Sequence, residues 1–148
     1  MSSHIALRVH FVWSTCNREP WIDPAWAQRL YAYLGAVLQD RGGVLLAAGG
    51  TADHVHLYMS LPATLTLAET ANALKANSSR WVHQTIDLPS FAWQAGYGAF
   101  SVSVSSDQQV RHYLAKQAEH HRRRSFQEEY LDFLDRHGVV YDPRHILA

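Results

Sequence analysis

At 148 residues and 16.8 kDa, with 47% hydrophobic and 18% charged residues and five Trp, seven Tyr and five Phe, the chain has the composition of one globular domain, 1–148, and not of a disordered, collagen-like or low-complexity protein. The lone cysteine, Cys16, excludes a disulfide framework or a multi-cysteine zinc site, and the lack of an export signal or of an apolar run near ~18 residues points to a cytoplasmic protein without a membrane span. Thirteen basic residues balance thirteen acidic ones, which excludes a general basic coat, but Arg111, Lys116, Arg122, Arg123 and Arg124 share one segment whose sole acid is Glu119, so an anionic partner is expected there.

Ile5, Leu7, Val9, Phe11 and Trp13 alternate with other residues at the period of a half-buried strand. Asp23-Pro24 supplies an N-cap and a first-turn proline, and Trp26, Leu30, Leu34, Val37 and Leu38 recur at helical spacing until Gly42-Gly43, predicting a helix over 24–41. The apolar run Val44 to Ala48, a turn at 49–53 and the alternating stretch His54 to Leu61 predict an antiparallel hairpin. Thr66 and Glu69 read as a capping box for a second helix with Leu67, Ala71, Leu74, Ser78, Trp81, Val82 and Thr85 facing inward. Phe100, Val102 and Val104 predict a fourth strand, and Ser106 to Gln109 and Ser125 to Glu128 read as capping boxes of two further helices, one running to about His121 and one ending at His137-Gly138.

The order is βαββαβ followed by two extra C-terminal helices. That pattern predicts an α+β, ferredoxin-like fold with an antiparallel sheet. One sheet face is expected under the first two helices and the other open to solvent, with function on the open face.

Strand alternation turns Val55, Leu57, Met59 and Leu61 one way, so His54, His56 and Tyr58 must point to the opposite face. Two imidazoles at i and i+2 on one side of a strand can share a metal, although most such pairs in strands are ordinary half-exposed histidines. A third ligand and a reactive group are needed. The helix opened by Ser106 offers both, because Tyr113 and Gln117 are one turn apart on the same side.

Asp53-His54-Val55-His56-Leu57, then Tyr113-Leu-Ala-Lys-Gln117, then His120-His121-Arg122-Arg123-Arg124-Ser125-Phe126-Gln127-Glu128-Glu129, in this order, resembles the small single-tyrosine transposases of bacterial and archaeal insertion sequences. These belong to the nickase superfamily named for its His-hydrophobe-His motif. The resemblance runs over almost the whole chain, including Lys75 to Trp81 and Trp93 to Gly98.

The resemblance implies metal ligation by His54 and His56 with Gln117 as third ligand, and attack by Tyr113 on a DNA phosphate to give a 5′-phosphotyrosine and a free 3′-hydroxyl. Two neutral imidazoles and an amide oxygen add no charge and leave positions open, so Mg2+ or Mn2+ is expected rather than zinc. Lys75, Arg80, Arg111, Lys116, His120, His121, Arg122, Arg123 and Arg124 are the expected DNA-binding residues, with Arg8 and His10 as further candidates. The implied partners are hairpin-bearing single-stranded DNA and a second copy of the chain, in a homodimer whose tyrosine helices complete each other's His-pair sites. The rival readings are a replication initiator or relaxase, a domesticated nickase of the same chemistry acting on genomic repeats, and a non-catalytic nucleic-acid module binding through exposed sheet aromatics.

Overall fold

The computed structural model describes residues 2–121 and 124–144. The sequence patterns produce β1 (Arg8–Ser14), α1 (Pro24–Asp40), β2 (Val44–Thr51), β3 (His54–Ser60), α2 (Leu67–Trp81) and β4 (Gly98–Ser101), then α3 (Asp107–Ala115), α4 (Gln117–His120) and α5 (Phe126–Arg136). The sheet runs β2-β3-β1-β4 with every neighbouring pair antiparallel, which is the ferredoxin-like arrangement. Asp23 caps α1 by accepting the Ala25 amide, and Thr66 and Glu69 form the reciprocal capping box of α2, so each helix satisfies donors that its first turn leaves free. Among the described residues no helix is long and apolar enough to cross a membrane.

Val9, Phe11 and Trp13 of β1 and Val55, Leu57 and Met59 of β3 face α1 and α2, where they pack with Leu30, Leu34, Leu38 and Leu74. Each fully buried side chain of this size contributes roughly 1.5–3 kcal/mol relative to exposure, so this layer is the main source of stability. The register Phe11↔Leu57 and Trp13↔Val55 keeps Val9, Phe11, Trp13, Val55, Leu57 and Met59 of the two central strands on one face. The alternate residues His10, Val12, His54, His56 and Tyr58 therefore share the other.

That other face is not open, contrary to expectation. Phe126, Tyr130 and Leu134 of α5 form a second, smaller core with Val12 and Phe100, while α3 and α4 lie along β2. The stripe at i, i+4 and i+8 on α5 is apolar and must be buried somewhere. α3 is seated at Gly49, where an added Cβ would run into the Leu114 carbonyl oxygen, so glycine is what allows the helix this close.

Three boundaries also differ. Ile5 and Leu7 lie outside β1 and are exposed, and β4 stops at Ser101, with Val104 exposed in a 3-10 turn. The chain needs that turn to swing from the sheet edge onto the second face. The helix expected from Ser106 to His121 breaks at Lys116 (φ −110°, ψ 23°) into α3 and α4, and Ser106 makes no side-chain cap. The upstream turn accounts for the missing cap: the Ser106 amide donates to the Ser103 carbonyl, and Ser103 Oγ takes the Ser105 amide.

Candidate active site

β3 delivers His54 and His56 fully buried to the roofed face, and the chain's last helices meet them there. Three imidazoles turn their Nε2 atoms toward one point. His54 Nε2 is 3.1 Å from Gln117 Oε1, His56 Nε2 is 2.9 Å from Glu129 Oε1, and His121 Nε2 is 3.1 Å from Gln117 Oε1 and 3.3 Å from Glu129 Oε2. One ligand atom from each of His54, His56, His121 and Glu129 lies within 4.8 Å of all the others. The Tyr113 hydroxyl donates to Glu129 Oε2, so the carboxylate joins this cluster to the phenol.

Neighbouring groups orient the rings from behind. His54 Nδ1 lies 2.7 Å from Asp53 Oδ1 and 3.0 Å from Thr51 Oγ1, and an Nδ1–H that donates there turns a lone pair at Nε2 inward. That lone pair faces the Gln117 amide oxygen, another acceptor. Two acceptors turned on each other at 3.1 Å suit a cation between them, and the residues present thus fit a divalent metal whose role would be to polarise a phosphate.

His56 is backed by His10, whose Nε2 stands 2.8 Å from His56 Nδ1. Burial lowers the pKa of His56 to about 4 and drives that of His10 well below the ordinary imidazole value, so both rings are neutral at pH 7. One proton between these two nitrogens can sit on either ring. His56 Nε2 can therefore be a donor to Glu129 or a free ligand with no change in net charge.

Glu129 is 1% exposed yet ionised. Its burial opposes charge, but hydrogen bonds from His121, His56 and Tyr113 outweigh that and hold its pKa far below the ordinary carboxylate range. Burial and the adjacent carboxylate push the pKa of the Tyr113 phenol upward, so at neutral pH this tyrosine is a phenol that needs a partner to lose its proton.

Tyr113 and Glu129 open into a cleft of about 720 Å³ between α3 and α5. His112, Lys116, His120, Arg124 and Arg136 line it. Asp132 pairs with Arg124 at 3.3 Å and with Arg136 at 2.9 Å, while the His120 ring lies over Tyr113 with centroids 4.7 Å apart.

The residues expected from sequence divide sharply. Tyr113, His54, His56 and Gln117 come together, with the kink at Lys116 turning Gln117 inward beside the tyrosine. His121, expected to touch DNA, belongs instead to the imidazole cluster because α4 ends there. His10 is buried behind His56 rather than offered to phosphate.

Lys75 is a correction of another kind, since it lies on the opposite side of the sheet. Its Nζ donates to the Gln94 and Ala95 carbonyls at 3.0 and 3.3 Å and sits 5.6 Å from the Trp13 and Tyr97 rings, so it ties a loop to α2. Arg80, exposed at the end of α2, is in that same helical layer, away from the His pair. Arg111 and Arg8 both bind Asp107, which Tyr58 also reaches at 2.8 Å, and that pairing anchors the start of α3. Lys116, His120 and Arg124 remain at the cleft, and Arg122 and Arg123 lie outside the described residues.

Glu129, absent from the sequence expectations, is an acid inside the apolar stripe Phe126, Tyr130, Phe133 and Leu134. A carboxylate at such a position must be paired when the stripe is buried. α3 packs along β2, and its Tyr113 hydroxyl reaches Glu129.

The chain resembles solved structures over most of its length. A protein assigned as a transposase of Deinococcus radiodurans R1 superposes with a TM-score of 0.64 at 23% identity, covering 79% of this chain and 95% of that one. A REP-associated tyrosine transposase bound to a REP hairpin superposes with a TM-score of 0.57 at 17% identity, covering 78% of this chain and 72% of that one. No curated protein sequence matches. Residues 3–117, which include the His pair, Tyr113 and Gln117, match the family model of IS200-like transposases, and the chain belongs to that family.

Proposed function

We propose that this DNA transposase breaks and rejoins single-stranded DNA through a covalent bond between the Tyr113 oxygen and a 5′-phosphate. The observation that carries the reading is the bridge made by Glu129, whose two oxygens join the imidazole cluster to the Tyr113 hydroxyl. A nucleophile, a proton acceptor and a metal-ligating set thus meet at one end of a cleft whose lining includes Lys116, His120 and Arg124.

In this reading His54, His56 and Gln117 would hold Mg2+ or Mn2+, and the ion would supply electrostatic stabilisation of the phosphate under attack. Tyr113 attacks phosphorus as its proton leaves along the hydrogen bond to Glu129, and the P–O3′ bond breaks, the leaving 3′-oxygen taking a proton from solvent water so that the released strand ends in a 3′-hydroxyl. Energy stored in the phosphotyrosine bond allows a second 3′-hydroxyl to reverse the step, so no nucleotide cofactor is consumed. Lys116, His120 and Arg124 line the path of the strand, which carries a hairpin as does the DNA in the second structural neighbour. The setting is the cytoplasm.

Sheet aromatics do not favour the rival reading as a stacking module, since Tyr58 is fully buried. A homodimer with exchanged α3 helices, implied by the family resemblance, requires α3 to leave its seat at Gly49. Mixing Tyr113→Phe with His56→Ala protein restores activity under exchange and gives none under the intra-chain seat. The main test is incubation with Mn2+ and hairpin-bearing single-stranded DNA. Wild type is expected to form a denaturant-resistant adduct and Tyr113→Phe none; an adduct with the Phe variant would sink the assignment.

A further inference from the structure

The match to the family model ends at residue 117, yet two of the four residues clustered around the convergence point, His121 and Glu129, lie beyond it. We propose that His121 and Glu129 are metal ligands beside His54, His56 and Gln117, giving this chain a shell of three imidazoles, a carboxylate and an amide oxygen, with the Tyr113 hydroxyl held by the same carboxylate. The inference rests on the metal-dependent reading above and specifies the shell.

Geometry carries it. First-row divalent ions hold nitrogen and oxygen ligands at ~2.0–2.2 Å, so two ligands of one ion are separated by no more than about 4.4 Å. Glu129 Oε1 is 2.9 Å from His56 Nε2 and 3.8 Å from His54 Nε2, and Glu129 Oε2 is 3.3 Å from His121 Nε2. All these Glu129 pairs fall inside that limit, and the four ligand atoms as a set lie within 4.8 Å of one another. His121 reaches the cluster because α4 is only one turn long, and Phe126, stacked on His54 with centroids 4.4 Å apart, brings the start of α5 against the same ring.

The chemistry agrees with the geometry. A buried carboxylate ringed by imidazole nitrogens is balanced either by protons or by a cation. A cation suits the site better, because Asp53 Oδ1 can accept a hydrogen bond from His54 Nδ1–H and His10 Nε2 can accept one from His56 Nδ1–H. Both arrangements turn an Nε2 lone pair inward. Relative to two imidazoles and an amide, this shell adds one negative charge and one nitrogen, which favours a first-row transition ion over Mg2+.

Calorimetric titration of Mn2+ into the full chain tests the proposal without reference to turnover. Wild type should bind one Mn2+ with Mg2+ at least tenfold weaker. Glu129→Gln and His121→Ala should each weaken Mn2+ binding at least tenfold, His56→Ala should abolish it, and Tyr113→Phe should leave it within twofold. Loss with His56→Ala but wild-type affinity in both Glu129→Gln and His121→Ala would overturn the extended shell while leaving the metal-dependent reading intact. No Mn2+ binding by wild type would overturn both. Circular dichroism checks folding, and if Glu129→Gln does not fold, His121→Ala at the rim of the site decides the matter, its unchanged affinity counting against the proposal.

Discussion

The two faces of the sheet are built from alternate residues of the same strands and do opposite work. On one, Val55, Leu57 and Met59 disappear under α1 and α2 into an apolar layer that fixes the backbone. On the other, His54 and His56, equally buried, meet His10, Gln117, His121 and Glu129 in a polar layer whose hydrogen bonds are paired with one another. Because the strand period is two, the apolar layer locks the register, and the register alone aims the histidines. Burial therefore means different things on the two sides: on the first it supplies stability, and on the second it makes ionisable groups interact strongly in the absence of water.

The contrast is broken most severely by His56→Ala. We expect adduct formation to fall by about 10⁴-fold, in the range seen when a member of a catalytic unit is removed, with single-turnover cleavage as the readout. Because His56 is fully buried against Glu129, this variant should also lose stability. Leu57→Ala, one residue away on the opposite face, should do the reverse. It should cost roughly 2–5 kcal/mol in denaturant unfolding while the cleavage rate per folded molecule stays near wild type.

Acidification sharpens the same difference. The unfolded chain protonates His56 below its ordinary pKa of 6.5, whereas the folded chain resists until about pH 4. The unfolded state thus binds more protons across this window, and stability falls as pH drops through it, by on the order of 3 kcal/mol for this group. Glu129, also depressed, extends the loss in the same direction at lower pH. Melting temperatures of metal-free protein between pH 7.5 and 4 check the sign, and a protein equally stable across that range would contradict it.

Gly49→Ala should act through α3, since the new Cβ would meet the Leu114 carbonyl oxygen. We expect a loss of about 1–3 kcal/mol and a reduced adduct rate, with the His pair's Mn2+ affinity less affected than the rate. Smallest of all should be the effect of Lys75→Met on DNA binding. Its ammonium serves the 94–95 carbonyls, so the salt dependence of binding should not change, whereas Lys116→Ala in the cleft should reduce the slope by roughly one.

The first face was legible in the sequence because period-two alternation and helical stripes are local signals, and the capping pairs at Asp23 and Thr66 marked the helix starts. The His pair was legible for the same reason, being a short motif on β3, and Tyr113 and Gln117 were legible as neighbours four residues apart, though the break at Lys116 puts them on α3 and α4. What covered the second face was not, since a roof depends on where α5 lands and not on its own period. Glu129 illustrates the limit: its signal was an acid embedded among Phe126, Tyr130 and Phe133, which announces a buried charge but not its partners. Lys75 fails in the opposite way, because a lysine on a helix looks the same whether it faces DNA or folds back onto carbonyls.

The central claim is that the polar face carries out covalent chemistry on DNA through Tyr113. The most direct measurement is peptide mapping by mass spectrometry after wild-type protein has reacted with Mn2+ and a hairpin-bearing single strand and been denatured and digested with protease and nuclease. The account predicts a 5′-phosphonucleotide mass on the peptide containing Tyr113 and on no other. The same mass on a different tyrosine or on a serine, or cleaved DNA with no protein-bound nucleotide at all, would contradict it.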